Sequence, residues 1–188
     1  MTGDRITDGH SSGRTGVFPG TFNPPTVAHL AIAERTVELH GLERVDLAVS
    51  RRPLGKASAD RPTFEERIEV LTSIGRRLGW LGVVVSDRQL IADLAEGYDL
   101  VIMGADKWQQ IHELQFYNGS PADRDAALGR LPEVVVAPRA DLDVPGDLRI
   151  DLDPAHRDVS STLARQGRLD LMAPEAAEFA RATGAWLS

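Results

Sequence analysis

A doubly wound, parallel α/β sheet is the fold this sequence predicts, and three observations carry the prediction. Short apolar runs of strand length alternate with longer stretches of helical periodicity along nearly the whole chain. The runs, "LGVVVS" and "EVVVAP" among them, are continuously apolar, as strands buried on both faces must be. No internal repeat, low-complexity segment or linker interrupts the alternation, so residues 15–188 read as one domain behind a lead-in of residues 1–14.

The elements follow in order. "TGVF" is a short strand that runs into a turn-rich loop, "PGTFNPP". "VAHLAIAERTVELHG" then places Leu30, Ala33, Val37 and Leu39 near helical spacing, with Gly41 as the stop. "RVDLAVS" is the second strand. After a basic loop, "TFEERIEVLTSIGRRLG" is a helix with a Thr63/Glu66 capping box and Phe64, Ile68, Leu71 and Ile74 on one face. "LGVVVS" is the third strand, "RQLIADLAEG" a short helix and "YDLVIMG" the fourth strand. Lys107 to Leu131 reads as an interrupted helix with a loop at "YNGSPAD". "EVVVAP" is the fifth strand and "DLRIDL" a short sixth. Helices at "SSTLARQG" and "PEAAEFARATG" close the chain, the last entered through Pro174 and ended by Gly184.

Composition narrows the function. The 188 residues carry a net charge of −7, a poor balance for binding nucleic acid. There is no cysteine, which excludes disulfides, thiol nucleophiles and thiolate metal sites. The opening "MTGDRITDGHSSGRTG" lacks the apolar core of a signal peptide and reads as a disordered tail, with His10 uninvolved. No apolar run is long enough to span a bilayer, which points to a soluble, cytoplasmic protein without membrane partners.

Two phosphate-binding patterns are absent: "LGKAS" lacks the first glycine of a P-loop, and no GxGxxG follows the first strand. The first loop offers another way to hold a phosphate. Gly20 lets the backbone approach an anion, and Thr21 or Phe22 can present an amide to it. Thr26 and His29, spaced i, i+3, share a face at a helix N-terminus, where the dipole favours an anion. The plainer reading makes Thr26 an N-cap and His29 a half-buried surface residue.

"GTFNPPTVAH" (Gly20 to His29) resembles the GxFxPxHxGH-type loop of the HxGH nucleotidyltransferase superfamily. "DVSSTLARQGR" (Asp158 to Arg168) resembles its second motif, ISSTxIR, and the two lie about 130 residues apart. Between them "MGADKW" is similar to the GxD segment of nicotinate and nicotinamide mononucleotide adenylyltransferases. "RRPLGKASADRPTFEERIEVL" is similar to the region where these enzymes, and phosphopantetheine adenylyltransferases, supply a basic residue. Thr26 replaces the motif's first histidine, as in the phosphopantetheine enzymes, and Ala28 its glycine. The Ser-Tyr-Thr segment of bacterial nicotinate enzymes has no counterpart in the shorter "SDRQLIADLAEGYDL".

The resemblance implies a Rossmann-like nucleotidyltransferase fold and adenylyl transfer from ATP to a small phosphorylated acceptor. Nicotinate or nicotinamide mononucleotide is the leading acceptor and phosphopantetheine the alternative. A nucleotide-binding sensor without turnover is the reading from another class, and homo-oligomerisation stays open. His29 would donate to the α-phosphate, Lys56 bridge donor and acceptor phosphates, and Arg165 clamp the pyrophosphate. Gly20, Thr21, Phe22, Thr26, Ser160, Ser161 and Thr162 would bind ATP phosphates. Gly104, Asp106, Trp108, Arg51 and Arg52 would serve the ribose and the acceptor. Asp106 is equally open to capping a helix, Trp108 to lying in the core, and Lys56, Arg51 and Arg52 to being solvated. Arg67 would support the basic loop or lie on a polar helix face. Trp80 and Phe116 are the other rings available to the acceptor, while His40, His112 and His156 read as structural. No protein metal cage is expected; Mg²⁺ would arrive with ATP, held mainly by phosphates.

Overall fold

The computed structural model describes residues 13–51, 62–139, 142 and 144–187. His10, Arg52 and Lys56 therefore lie outside the described residues, as does most of the lead-in. Arg14, assigned to that lead-in, belongs to the fold, because its guanidinium pairs with Glu133 and its carbonyl accepts from the Glu43 amide.

Five strands form one sheet: β1 (Thr15–Pro19), β2 (Arg44–Ser50), β3 (Leu81–Ser86), β4 (Leu100–Gly104) and β5 (Glu133–Ala137). Their order is β3-β2-β1-β4-β5, and every pairing is parallel. The helices are α1 (Val27–His40), α2 (Phe64–Leu78), α3 (Ile91–Leu94), α4 (Ala105–Gln110), α5 (Pro121–Leu128), α6 (Pro154–Arg157), α7 (Ser161–Ala164) and α8 (Pro174–Thr183).

The apolar strands are continuous because they feed two cores. Phe18, Leu47, Ile102 and Val135 point into a cluster with α1, α2 and α8. Their chain neighbours Val17, Ala48, Val101, Met103 and Val136 point into a second cluster, with Ile91, Ala105 and Ile111. Successive side chains leave a strand on opposite faces, so a strand covered on both faces is apolar at successive positions. β2 keeps one polar alternate, Asp46, whose carboxylate accepts from Arg44 and Tyr98.

Local chemistry sets the helix ends. Thr63 and Glu66 form the predicted capping box at the start of α2. Pro174 opens α8 and Gly184 ends it. Along α1 the inward face is Ala28, Ile32, Ala33 and Thr36, while Leu39, expected inside, is half exposed. Leu39 shares the side of Ile32 and Thr36 but stands in the last turn of the helix, one residue before its end at His40.

Two expectations change at the far end of the sheet. "YNGSPAD" is only partly a loop: Ser120 caps α5 through the Asp123 amide, and Pro121 takes the first helical position. "DLRIDL" is not a sixth strand. It makes one parallel bridge, Arg149 to Val136, because a turn at residues 146–148 takes its first two residues and Asp153 caps α6 just after it. Among the described residues no helix is long and apolar enough to cross a membrane.

One ion pair ties α8 to α2. Arg77 donates to both carboxylate oxygens of Glu175, at 2.5 and 3.3 Å. Burial is the largest single influence on the Glu175 carboxyl and would raise it. The Arg77 hydrogen bond, a backbone hydrogen bond and the Arg77 charge together outweigh it and hold the group below its ordinary range. A carboxyl lowered by folding contributes its stability above its ordinary value and loses it as pH falls through the lowered one. Arg77 is 46% exposed, so Glu175→Gln is expected to cost less than about 1 kcal/mol at neutral pH. Urea melts should show that difference shrinking in acid; an equal loss at neutral and strongly acid pH would mean that charge is not its source.

Candidate active site

In an open parallel sheet, ligands bind beyond the carboxyl ends of the strands, where neighbouring connections leave in opposite directions. Here that point lies between β1 and β4, which pair through Gly16 with Leu100 and Val17 with Val101. A cleft of about 1190 Å³ opens there, lined by the loop after β1, the start of α4 and the segment around α7.

The loop after β1 is shaped by a phenylalanine. The Gly20 amide donates to the Ala48 carbonyl at 3.0 Å, and the Phe22 ring folds back over Gly20. A β-carbon at position 20 would sit 2.7 Å from that ring, so only glycine fits. Phe22 has φ 45° and is buried, with edge-on contacts to Phe18 and to His29 at 5.1 Å between ring centres. Gly20, Thr21 and Phe22 all line the cleft.

His29 is the third helical residue of α1 and the reciprocal member of its capping box. The Thr26 amide donates to His29 Nδ1 at 3.0 Å, and the Thr26 hydroxyl lies 2.9 Å from the same nitrogen. The hydroxyl also accepts from the His29 amide at 3.3 Å. A ring nitrogen that accepts these contacts carries no proton, which places the imidazole proton on Nε2. Thr26 itself corrects the expectation that it binds phosphate. It is fully buried and absent from the cleft wall, because both its polar groups turn inward to His29. It is the N-cap of the plainer reading, and it orients the histidine.

The second motif reaches the first directly. Ser161 Oγ donates to the Pro24 carbonyl at 2.7 Å, and Arg165 donates to the Asn23 carbonyl and to Thr162 Oγ1. Ser160 Oγ accepts from the Leu163 amide and so caps α7. The Ala173 amide donates to the Pro25 carbonyl, and Trp186 Nε1 to Asn23 Oδ1. The carboxyl-terminal segment thus grips residues 23–25, while Ser160, Ser161, Thr162 and Arg165 face the cleft. Asn23 and Trp186 escaped the sequence reading; an asparagine before a proline pair was the one available sign of a loop that needed external partners.

After β4, Gly104 is the N-cap of α4 without any side-chain bond, so Asp106 does not cap this helix. Its carboxylate lies over Gly104, 2.8 Å from where a β-carbon would be, and 3.6 Å from Arg139. Both Gly104 and Asp106 line the cleft. Trp108 does not, contrary to expectation: it packs on the second core cluster and edge-on against His112. The turn of α4 that sends Asp106 to the cleft sends Trp108, two residues on, away from it. Trp80 also packs on the core, leaving Phe116 as the ring on the wall among these three. His40 pairs with Glu133, whereas His156, expected to be structural, lines the cleft with a buried Nδ1 that has no hydrogen-bond partner among the described residues.

Arg51 and Pro62, which flank the segment of Arg52 and Lys56, both line the cleft, as does Arg67. Among the described residues the wall carries Arg51, Arg67, Lys107, Arg139, Arg157 and Arg165, against a single carboxylate, Asp106. In a chain of net charge −7 this concentrates positive potential in one concavity, which selects an anionic ligand.

Sheet order and cleft together define an α/β protein with a cationic cleft at the switch point of its sheet. The chain belongs to the cytidylyltransferase-like family, whose model matches residues 17–167. A probable nicotinate-nucleotide adenylyltransferase of Chlorobaculum tepidum is 49% identical over 47 residues, 25% of this chain and 24% of that protein. A phosphopantetheine adenylyltransferase of Desulforamulus reducens is 40% identical over 63 residues, 32% of this chain and 35% of that protein. The chain therefore spans about a quarter to a third of the length of these curated relatives. The nicotinic acid mononucleotide adenylyltransferase of Plasmodium falciparum, solved with NaAD, superposes with a TM-score of 0.69 at 13% identity. That match covers 93% of this chain and 97% of the other, and it shows that the fold is shared.

Proposed function

We propose that this chain transfers the adenylyl group of ATP to a small phosphorylated acceptor, nicotinate or nicotinamide mononucleotide foremost. The observation that carries this is the placing of His29. Its Nδ1 is committed to Thr26, its Nε2 carries the proton, and its ring stands on the wall of a cationic cleft. The acceptor's phosphate oxygen attacks the α-phosphorus; the bond from that phosphorus to the bridging oxygen of pyrophosphate breaks as the new one forms. No covalent enzyme intermediate is needed, so the protein aligns the reactants and neutralises the charge that grows on the transferred phosphate.

His29 Nε2–H would meet that charge, and Arg165 the leaving pyrophosphate. Thr21, Phe22 and Thr162 would add donors along the phosphates, and Asp106 would accept from ribose hydroxyls. Ser160 and Ser161 spend their hydroxyls on α7 and on Pro24, so their part is to hold the wall. Among the described residues no cluster of His, Asp and Glu could cage a metal. ATP would enter as its magnesium complex, the ion held by phosphates, which suits a wall rich in arginine. A cytoplasmic setting, where ATP is made available, fits this reading.

Phosphopantetheine is the second acceptor to test, since similar proteins carry either name. Incubation of the protein with Mg-ATP and each acceptor, read by chromatography, should yield a dinucleotide from a pyridine mononucleotide and release pyrophosphate. Product from phosphopantetheine alone would overturn the acceptor. Pyrophosphate from none of them would favour the nucleotide sensor.

A further inference from the structure

In the reading above His29 meets a polyanion, and an anion close to an imidazole ordinarily draws a second proton onto it. The entrance to α1 is built against that. The second proton would go to Nδ1, which already accepts from the Thr26 amide at 3.0 Å and has the Thr26 hydroxyl 2.9 Å away. Thr26 is wholly buried and its backbone is fixed. It bridges to Met172, its carbonyl accepts from the Leu30 amide, and the Pro25 carbonyl before it accepts from the Ala173 amide. β1 and the loop after it meet the ring with Phe18 and Phe22, edge-on at 6.0 and 5.1 Å between centres.

A hydroxyl can turn from donor to acceptor, but a backbone amide can only donate. A second proton on His29 would therefore set one N–H against another. It would strip a fully buried amide of its acceptor and undo half of the α1 capping box. Among the described residues, the charged and titratable groups that share the cleft with the ring are the six wall cations named above, His156 and Asp106. The cations oppose a second proton while the cleft is empty, and bound phosphates cancel that opposition. The Thr26 amide opposes it in both states.

We propose that Thr26 is a positioning residue that keeps His29 a neutral Nε2–H donor while phosphates fill the cleft. The inference rests on the adenylyltransferase reading above. A neutral donor adds little to ground-state binding and gains as charge grows on the α-phosphate. Thr26→Val removes the hydroxyl that holds the ring and leaves the cleft wall as it is, since Thr26 is no part of that wall. It should lower kcat about tenfold with the ATP KM within about twofold, and Thr26→Ser should recover much of the loss.

Imidazole nitrogen shifts, recorded by NMR on protein with isotopically labelled histidine, test the protonation state directly. His29→Gln identifies the His29 signals among the five histidines. At neutral pH wild-type Nδ1 should keep the shift of an acceptor and Nε2 that of a protonated nitrogen, with and without Mg-ATP. Thr26→Asp keeps a good N-cap but sets a carboxylate against Nδ1, so it should show both nitrogens protonated. A wild-type ring that becomes doubly protonated with Mg-ATP would overturn the proposal. So would a Thr26→Val protein that melts like wild type, keeps its kcat and raises the ATP KM, because Thr26 would then be a phosphate ligand. If Thr26→Val does not fold, the wild-type spectra still decide. Failure of the wider reading looks different, since wild-type protein then forms no dinucleotide from either mononucleotide. Spectra at saturating inorganic pyrophosphate settle the role of Thr26 in that case: a neutral ring supports it and an imidazolium sinks it.

Discussion

His29→Ala is expected to lower kcat by about 10²–10³-fold while ATP affinity changes little. The expectation follows from where the ring's two nitrogens are employed. Nδ1 takes the Thr26 amide and lies against the Thr26 hydroxyl, so Nε2 is a donor whose proton and direction are set before substrate arrives. Phe18 and Phe22 meet the ring edge-on and hold its plane. A donor prepared in this way gains most when charge accumulates on the α-phosphate, that is, in the transition state. Loss of the reciprocal capping contact should cost only about 1 kcal/mol of stability, so a folded variant is available for kinetics. A kcat within threefold of wild type would remove His29 from the chemistry and leave it as a helix cap.

Arg165→Ala should reduce kcat/KM for ATP by about 10²-fold, with KM carrying much of the change. Two losses combine. The variant removes a cation from the wall that faces the phosphates, and it releases the Asn23 carbonyl from the grip of the second motif. Trp186→Phe separates the two. It deletes the indole N–H that donates to Asn23 Oδ1 and keeps the buried ring, so it loosens the loop without touching the charge. It should lower kcat and leave ATP binding alone. Unchanged ATP titration of Arg165→Ala by calorimetry would take Arg165 out of the phosphate site.

Much of this molecule is legible in one dimension because the features concerned are short in range. Alternation in the strands, the Thr63/Glu66 box, and Pro174 with Gly184 each depend on residues a few positions apart. Thr26 and His29 were recognisable as a pair for the same reason, although the direction of their hydrogen bonds was not. "DLRIDL" misled because its composition suits a strand while its setting does not: a turn takes its first two residues and a helix cap follows it.

The sequence by itself determined the parallel α/β class, the order of the elements and the two motif segments, all of which rest on local spacing and residue type. Tertiary structure decided which side of each helix faces the cleft. Asp106 turns to it and Trp108 away, Arg67 is drawn from a polar helix face into the wall, and Thr26 is sealed behind His29. It also decided that Ser161, Arg165 and Trp186 close on Asn23 and Pro24, residues more than 130 positions earlier. Spacing along a helix says which side chains share a face. Only the packing of that helix against the sheet says where the face points.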